Sequence, residues 1–305
     1  MNKALNLTAT AFAAALLLAA SPCTGATYPT FPLKSSRTFQ TIWAERLYSN
    51  TPGLNGIGDD PLPNSLLTVS YNATTGSYTL KDTADSNNTL VTFSRRTRTT
   101  QGYVDIYTAT SSTATDQLQL YNDVRVPTLL SRAPVKLTYL SYGSWSHDDL
   151  TTGEDWKRYF LFGYPTATAD MPLTGTASYS TLVSANMKSE LPGDPEHTLS
   201  GSATFTANFG QGIVSTSLKL AYPDSTSYSY SGGGPISGNL FSGPFNSSTD
   251  SYFQLGSFAG GFYGPKATEM GYVFVIERGE ADPYAGATVA PPLSWIVGAV
   301  VGKKN

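Results

Sequence analysis

Along most of the chain, apolar and polar residues alternate with a period of two, the spacing that puts one face of an extended strand into a core. In "SLLTVSYNATTGSYTL", Leu67, Val69 and Tyr71 share a face, Asn72 to Gly76 supplies turn chemistry, and Tyr78 and Leu80 resume the pattern. That stretch predicts a hairpin. "TLVTFSRRTRTTQGYVDIYTAT" repeats the design with Gln101 and Gly102 at the bend, and "VKLTYLSYGSW" predicts a long strand with Val135, Leu137 and Tyr139 on one side. Only "SRTFQTIWAERLYS", ahead of the first hairpin, hints at a short helix.

From Tyr159 onward strands lengthen, small residues enter them and the turns carry glycine. "YFLFGYPT", "TASYSTLVSAN", "GSATFTANF", "GIVSTSLKLAY", "PISGNLFSG", "SYFQLGSFAGGFYG", "GYVFVIE" and "SWIVGAVVG" make eight candidate strands. About eight strands close a barrel that its own side chains just fill. In "FQLGSFAGGFYG", Phe258 and Phe262 face one way with Gly260 between them, leaving a gap for a neighbouring group. Gly264 and Pro265 then break the strand, "KATEM" is long enough for one helical turn, and Gly271 restarts the sheet with Tyr272, Phe274 and Ile276 on one face. The fold class expected is all-β, with "SWIVGAVVG" as the closing barrel strand rather than a membrane helix, which needs about 20 apolar residues. "SYSGGGPISG", residues 229–238, lacks the lysine and following helix of a phosphate loop and reads as a flexible hairpin turn.

The first 26 residues stand apart: Lys3, an apolar run from Ala11 to Ala20, then small residues, the arrangement of an export signal. Cys23 is the one cysteine in 305 residues, so no internal disulfide can staple the exported protein and a real core must hold it. Charged residues make up 13% of the chain and its net charge is −3, against roughly 25% charged residues in ordinary domains. A surface dressed in Ser, Thr, Tyr and Asn offers no basic field for nucleic acid.

"FAGGFYGPKATEMGYVF" resembles the aromatic-glycine, "FYGP", acidic, glycine, aromatic signature of the barrel in transferrin-binding protein B and its relatives, among them factor H-binding protein and neisserial heparin-binding antigen. The residues that carry it are Phe258, Gly260, Phe262, Tyr263, Gly264, Pro265, Glu269, Gly271 and Phe274. "YFLFGYPTATADMPLTGTASYS", "GSATFTANFGQG" and "ISGNLFSG" are similar to the strands that open that barrel. The resemblance implies a signal peptide over residues 1–26, a handle-like antiparallel β-domain over 27–158 and the barrel over 159–305. It also implies an exported protein of a Gram-negative bacterium, on the outer membrane surface or secreted, with dedicated export machinery and a host or environmental protein, or haem, as ligand in an iron-acquisition role. Lipidation would fall on Cys23, while "TGA" ending at Ala26 offers a competing cleavage site that would remove it. No ligand-contact motif of the transferrin binders matches residue by residue, so transferrin itself does not carry over.

Histidine occurs at positions 147 and 197 alone, there is no "GxSxG" elbow, and no metal-ligand spacing is present, so no catalytic residue is assigned. Asp148, Asp149, Glu154 and Asp155 cluster in "WSHDDLTTGEDW", a polar connection in which charges stay solvated. Trp145, His147 and Trp156 in the same connection are the candidate ligand-binding residues: exposed aromatics at a hairpin tip anchor a protein partner, and His147 could ligate haem iron. The alternative is a structural or adhesive envelope protein whose Ser/Thr/Tyr-rich surface makes contacts without a dedicated ligand. A saturable, stoichiometric ligand separates the two.

Overall fold

The computed structural model describes residues 26–48, 56–60, 66–83, 89–121, 134–189, 194–222, 226–279 and 294–305. The expected export signal and Cys23 lie outside the described residues. The chain is all-β, in three layers. A four-stranded sheet is formed by β1 (Arg37–Gln40), β4 (Leu67–Asn72), β5 (Ser77–Asp82) and β6 (Leu90–Phe93), in that spatial order. A seven-stranded sheet runs in the order β3 (Gly56–Asp60), β2 (Ile42–Tyr48), β11 (Asp155–Gly163), β10 (Leu140–Asp149), β9 (Ala114–Tyr121), β8 (Val104–Thr110) and β7 (Thr99–Gln101). The third layer is a closed antiparallel barrel of β12 (Thr176–Ser189), β13 (His197–Asn208), β14 (Ile213–Ala221), β15 (Ser227–Ser237), β16 (Leu240–Ser247), β17 (Phe253–Tyr263), β18 (Glu269–Arg278) and β19 (Ser294–Lys304).

Alternation explains the layering. On β11, Phe160 and Phe162 join the core under the four-stranded sheet, while Tyr159 and Leu161 turn to the barrel. The seven-stranded sheet is thus buried on both faces along its middle. On the barrel wall that meets it, Val273, Val275, Val297, Ala299 and Val301 pack outward on the sheet, and Tyr272, Phe274, Ile276, Ile296 and Val300 pack inward. Two apolar faces turn β18 and β19 into continuous apolar runs.

Four expectations are corrected. "SRTFQTIWAERLYS" is β1 and β2, not a helix: it leaves one sheet at Thr41, whose hydroxyl donates to the Leu67 carbonyl at 2.8 Å, and enters the other. Serving two sheets blurs its period. "TLVTFSRRTRTTQGYVDIYTAT" likewise splits, β6 going to the small sheet and β7–β8 forming a short hairpin in the large one. "YFLFGYPT" is β11 of the middle sheet rather than a barrel strand, so the expected boundary between residues 158 and 159 falls inside a strand. Its place in the barrel is taken by "SYSGGGP", which belongs to β15 and turns at Gly238 (φ 61°) into β16. The eight-stranded barrel is therefore observed, with one expected strand moved to the middle sheet and one expected turn found to be a strand. Glycine makes β15 hard to read, yet bulk is excluded there: a Cβ on Gly234 would stand 1.8 Å from the Ser242 carbonyl oxygen.

The barrel signature occupies the joint between layers. Phe258, Phe262 and Phe274 fill the barrel, and a Cβ on Gly260 would come within 2.2 Å of the Gly271 carbonyl oxygen and 2.8 Å of the Phe241 ring. Tyr263 points to the sheet, Gly264 (φ 70°) lies under the Tyr139 ring, and Pro265 starts a 3-10 turn. Gly271 is closed over by Leu140 and Leu161 of the sheet. Glu269, fully buried, accepts the backbone N–H groups of Thr138 (2.6 Å), Tyr139 (2.8 Å) and Leu140 (2.9 Å). The Thr138 and Tyr139 amides thus go to a carboxylate rather than to a neighbouring strand, and β10 starts at Leu140 rather than at Val135 as its pattern predicts. Burial pushes the Glu269 carboxyl pKa up, against the pull of the three N–H donors.

Candidate functional site

β10 and β11 form a long hairpin whose free end extends beyond the barrel-covered part of the sheet. Its turn is built by Asp149, whose Oδ1 accepts the Thr151 hydroxyl (2.6 Å) and the N–H groups of Thr151 (2.7 Å) and Thr152 (3.0 Å); the hydroxyl first, then the two amides, hold its pKa down to about 2. Leu150 at the tip is 62% exposed.

Just behind the turn, antiparallel register sets His147 opposite Trp156 and Trp145 opposite Arg158. The His147 ring stacks on Trp156 at 5.1 Å and 13°, and Trp145 meets the same indole edge-on at 4.6 Å. Asp116 on β9 fixes the cluster from below: its Oδ1 accepts the Trp145 Nε1–H at 2.8 Å and faces His147 Nδ1 at 2.9 Å. This carboxylate contact, ahead of the opposing effect of burial, raises the His147 pKa above its ordinary value.

Arg158 is the centre of a cation–π box, 4.3 Å from Trp156, 5.4 Å from Trp43 and 5.7 Å from Trp145. Its guanidinium is ion-paired with Asp82 and Glu45. Three of the four tryptophans of the chain thus surround one arginine. Beside them opens a cleft of about 480 Å³ lined in part by Glu45, Leu47, His147, Glu154, Trp156 and Arg158.

The expected triad is therefore brought together, but not as a flexible loop. All three residues are on paired strands, and Trp145 has no exposed surface, which corrects its reading as an exposed anchor: its indole is held inward by Asp116. His147 and Trp156 are half-buried and line the cleft. The acidic residues are largely absorbed by structure, Asp149 in the turn and Asp155 in an ion pair with Arg46 at 2.7 Å. Asp148 stands directly opposite Asp155, and burial followed by that like charge raises its pKa. His197 lies in a different pair, 3.2 Å from Asp194. Asp116, Trp43, Glu45, Asp82 and Arg158 were not singled out by sequence. Only Arg158 left a trace, two residues from Trp156 on an alternating strand.

The arrangement can present a rigid aromatic and hydrogen-bonding surface. With Nδ1 on Asp116, the other ring nitrogen of His147 is the one left for an outside ligand, oriented as second-sphere carboxylates orient metal-binding imidazoles.

Residues 171–291 match the family of C-lobe and N-lobe beta barrels of transferrin-binding protein B. No curated protein matches the chain. Among solved structures, a tryptophan-to-alanine mutant of transferrin-binding protein B from Haemophilus parasuis is 14% identical over 87% of this chain and 45% of its own, with a TM-score of 0.49. The present chain thus spans less than half of that relative. HpuA from Kingella denitrificans, solved with human haemoglobin, is 14% identical over 91% of this chain and 90% of its own, with a TM-score of 0.42. Transferrin-binding protein B from Neisseria meningitidis is 11% identical over 89% and 77%, with a TM-score of 0.35.

Proposed function

We propose, for a chain whose barrel belongs to the transferrin-binding protein B-like family, that it is a non-catalytic binding protein, exported and displayed on or released from a bacterial surface, that captures an extracellular protein in an iron-acquisition role. The observation that carries this reading is the tip of the β10–β11 hairpin: Leu150 is exposed at the turn, and behind it a half-buried Trp156 lines a 480 Å³ cleft, packed against Arg158 and against Trp145 and His147, which Asp116 holds. Hot spots are aromatic side chains whose rotamers are fixed before the partner arrives, because little entropy is then lost on binding. Neither transferrin nor haemoglobin is preferred by the residues. The test is titration of the purified chain with each protein, beside Trp156→Ala and Leu150→Glu. Saturable one-to-one binding lost in both variants supports the reading; no saturable binding to either protein, or binding indifferent to both substitutions, overturns the assignment and favours the adhesive alternative.

The carboxylate behind His147 favours a second ligand, haem, with Nε2 as axial donor. A haemin titration followed at the Soret band decides it. A one-to-one shift lost in His147→Gln supports haem, and a flat titration removes it.

A further inference from the structure

We propose that the barrel end opposite the β10–β11 tip is a docking face for a bilayer surface carrying anionic headgroups. The proposal rests on the surface-displayed reading above, but involves the other pole of the molecule. β10 has ten residues from Leu140 to Asp149, so about 33 Å of strand separates the two ends.

The end in question is formed by the β12 entry, the β13–β14 and β15–β16 turns and the 3-10 turn Pro265–Ala267. Leu173 there is 84% exposed, the most exposed large apolar side chain among the described residues. On the same end basic side chains outnumber acidic ones, with Lys136, Lys266, Lys303 and Lys304 against Asp170 and the buried Glu269. Lys266 is exposed, the Lys304 ammonium approaches the Lys266 carbonyl at 3.5 Å and the Phe209 ring at 5.6 Å, and the Lys303 ammonium approaches the carbonyl of exposed Lys136 at 3.4 Å. Of the acids here, Asp170 accepts the Tyr28 hydroxyl at 2.8 Å and keeps its charge, and Glu269 is buried under three backbone amides. At the far end Asp148, Asp149 and Glu154 stand in one hairpin, while Asp155 and Glu196 are paired with Arg46 and Lys157.

A second, independent observation concerns where the chain departs. Tyr28 is pinned to this same end, receiving the Ala167 N–H at 2.8 Å while donating to Asp170, and Phe31 N–H binds the Thr138 carbonyl at 2.8 Å. The described chain starts at Ala26, two residues before Tyr28, and so begins at the basic end. Cys23 precedes Tyr28 by five residues, about 18 Å of fully extended chain. A lipid on that cysteine would bring this face, not the aromatic tip, to the bilayer. Lysines near an anionic surface are attracted within about one Debye length, and an exposed leucine can then enter the headgroup boundary. One leucine and a few lysines bind weakly alone; their effect is to orient a chain that is already tethered.

The test places a reporter at each pole of the full chain. Leu173→Trp and Leu150→Trp are mixed with vesicles of phosphatidylcholine plus phosphatidylglycerol in equal parts, or of phosphatidylcholine alone, each containing bromolipid quencher, and the wild-type emission is subtracted. The proposal expects quenching at position 173 with anionic vesicles, its loss with neutral vesicles or with Lys266→Glu, Lys303→Glu and Lys304→Glu combined, and none at position 150. Absence of quenching at 173, equal quenching at both positions, or indifference to charge overturns it. The charge-reversed variant should still bind whatever protein the aromatic tip binds, so failure of docking and failure of capture are separately visible.

Discussion

The Glu269 carboxylate accepts the Leu140 N–H at 2.9 Å across 129 residues of sequence, one of three amides by which a barrel strand holds the entry to the middle sheet. The signature that marks the barrel in sequence is thus a description of its joint with the layer beside it. Fixing β10 at that joint also fixes the direction in which its other end projects, and so the separation of the aromatic tip from the basic end.

Replacing Glu269 with alanine leaves up to three amides without an acceptor in a buried joint. Each hydrogen bond to a charged group is worth about 1.5–3 kcal/mol, so a loss of at least 3 kcal/mol is expected. Urea unfolding measures it, and Glu269→Gln should lose less because its amide oxygen still accepts.

Arg158→Met keeps the volume of the stem but removes the charge between Asp82 and Glu45. Taking one partner from a buried ion pair costs about 3–5 kcal/mol. A midpoint unchanged in thermal or urea unfolding would show that the cation–π box contributes little.

The His147 pKa is raised in the folded protein by Asp116, so its contribution to stability is fully present below the unfolded value of about 6.5 and is lost as pH rises through the folded value. The chain has only two histidines, so NMR titration with His197→Gln as the assignment control reads the value directly. Asp116→Asn should bring the midpoint down.

Gly260 and Gly238 should respond differently to alanine. At Gly260 a Cβ would meet the Gly271 carbonyl oxygen at 2.2 Å and the Tyr272 Cβ at 2.6 Å, so backbone must move and about 3 kcal/mol or more should be lost. At Gly238 nothing stands within 4 Å and only its φ of 61° opposes the change, an effect of about 1 kcal/mol. Equal losses would contradict the packing account.

Local chemistry was enough to determine much of this from sequence: the hairpin of Leu67, Val69 and Tyr71 with its turn at Asn72 to Gly76, the inward Phe258 and Phe262 around Gly260, and closure by "SWIVGAVVG" all follow from side-chain period and turn residues. What depended on a third layer could not be read. β11 looks like a barrel strand because both of its faces are apolar, and only the packing of Tyr159 and Leu161 on one side and Phe160 and Phe162 on the other shows that it is a middle-sheet strand. "SYSGGGP" hides a strand in which Gly234 is required by the neighbouring Ser242 and Gly243 backbone. Trp145, His147 and Trp156 were legible as neighbours within one hairpin, since register follows from chain proximity. Their partners were not, because Asp116, Asp82 and Trp43 arrive from strands 29 to 115 residues away in sequence, and distance along the chain carries no signal of contact in space.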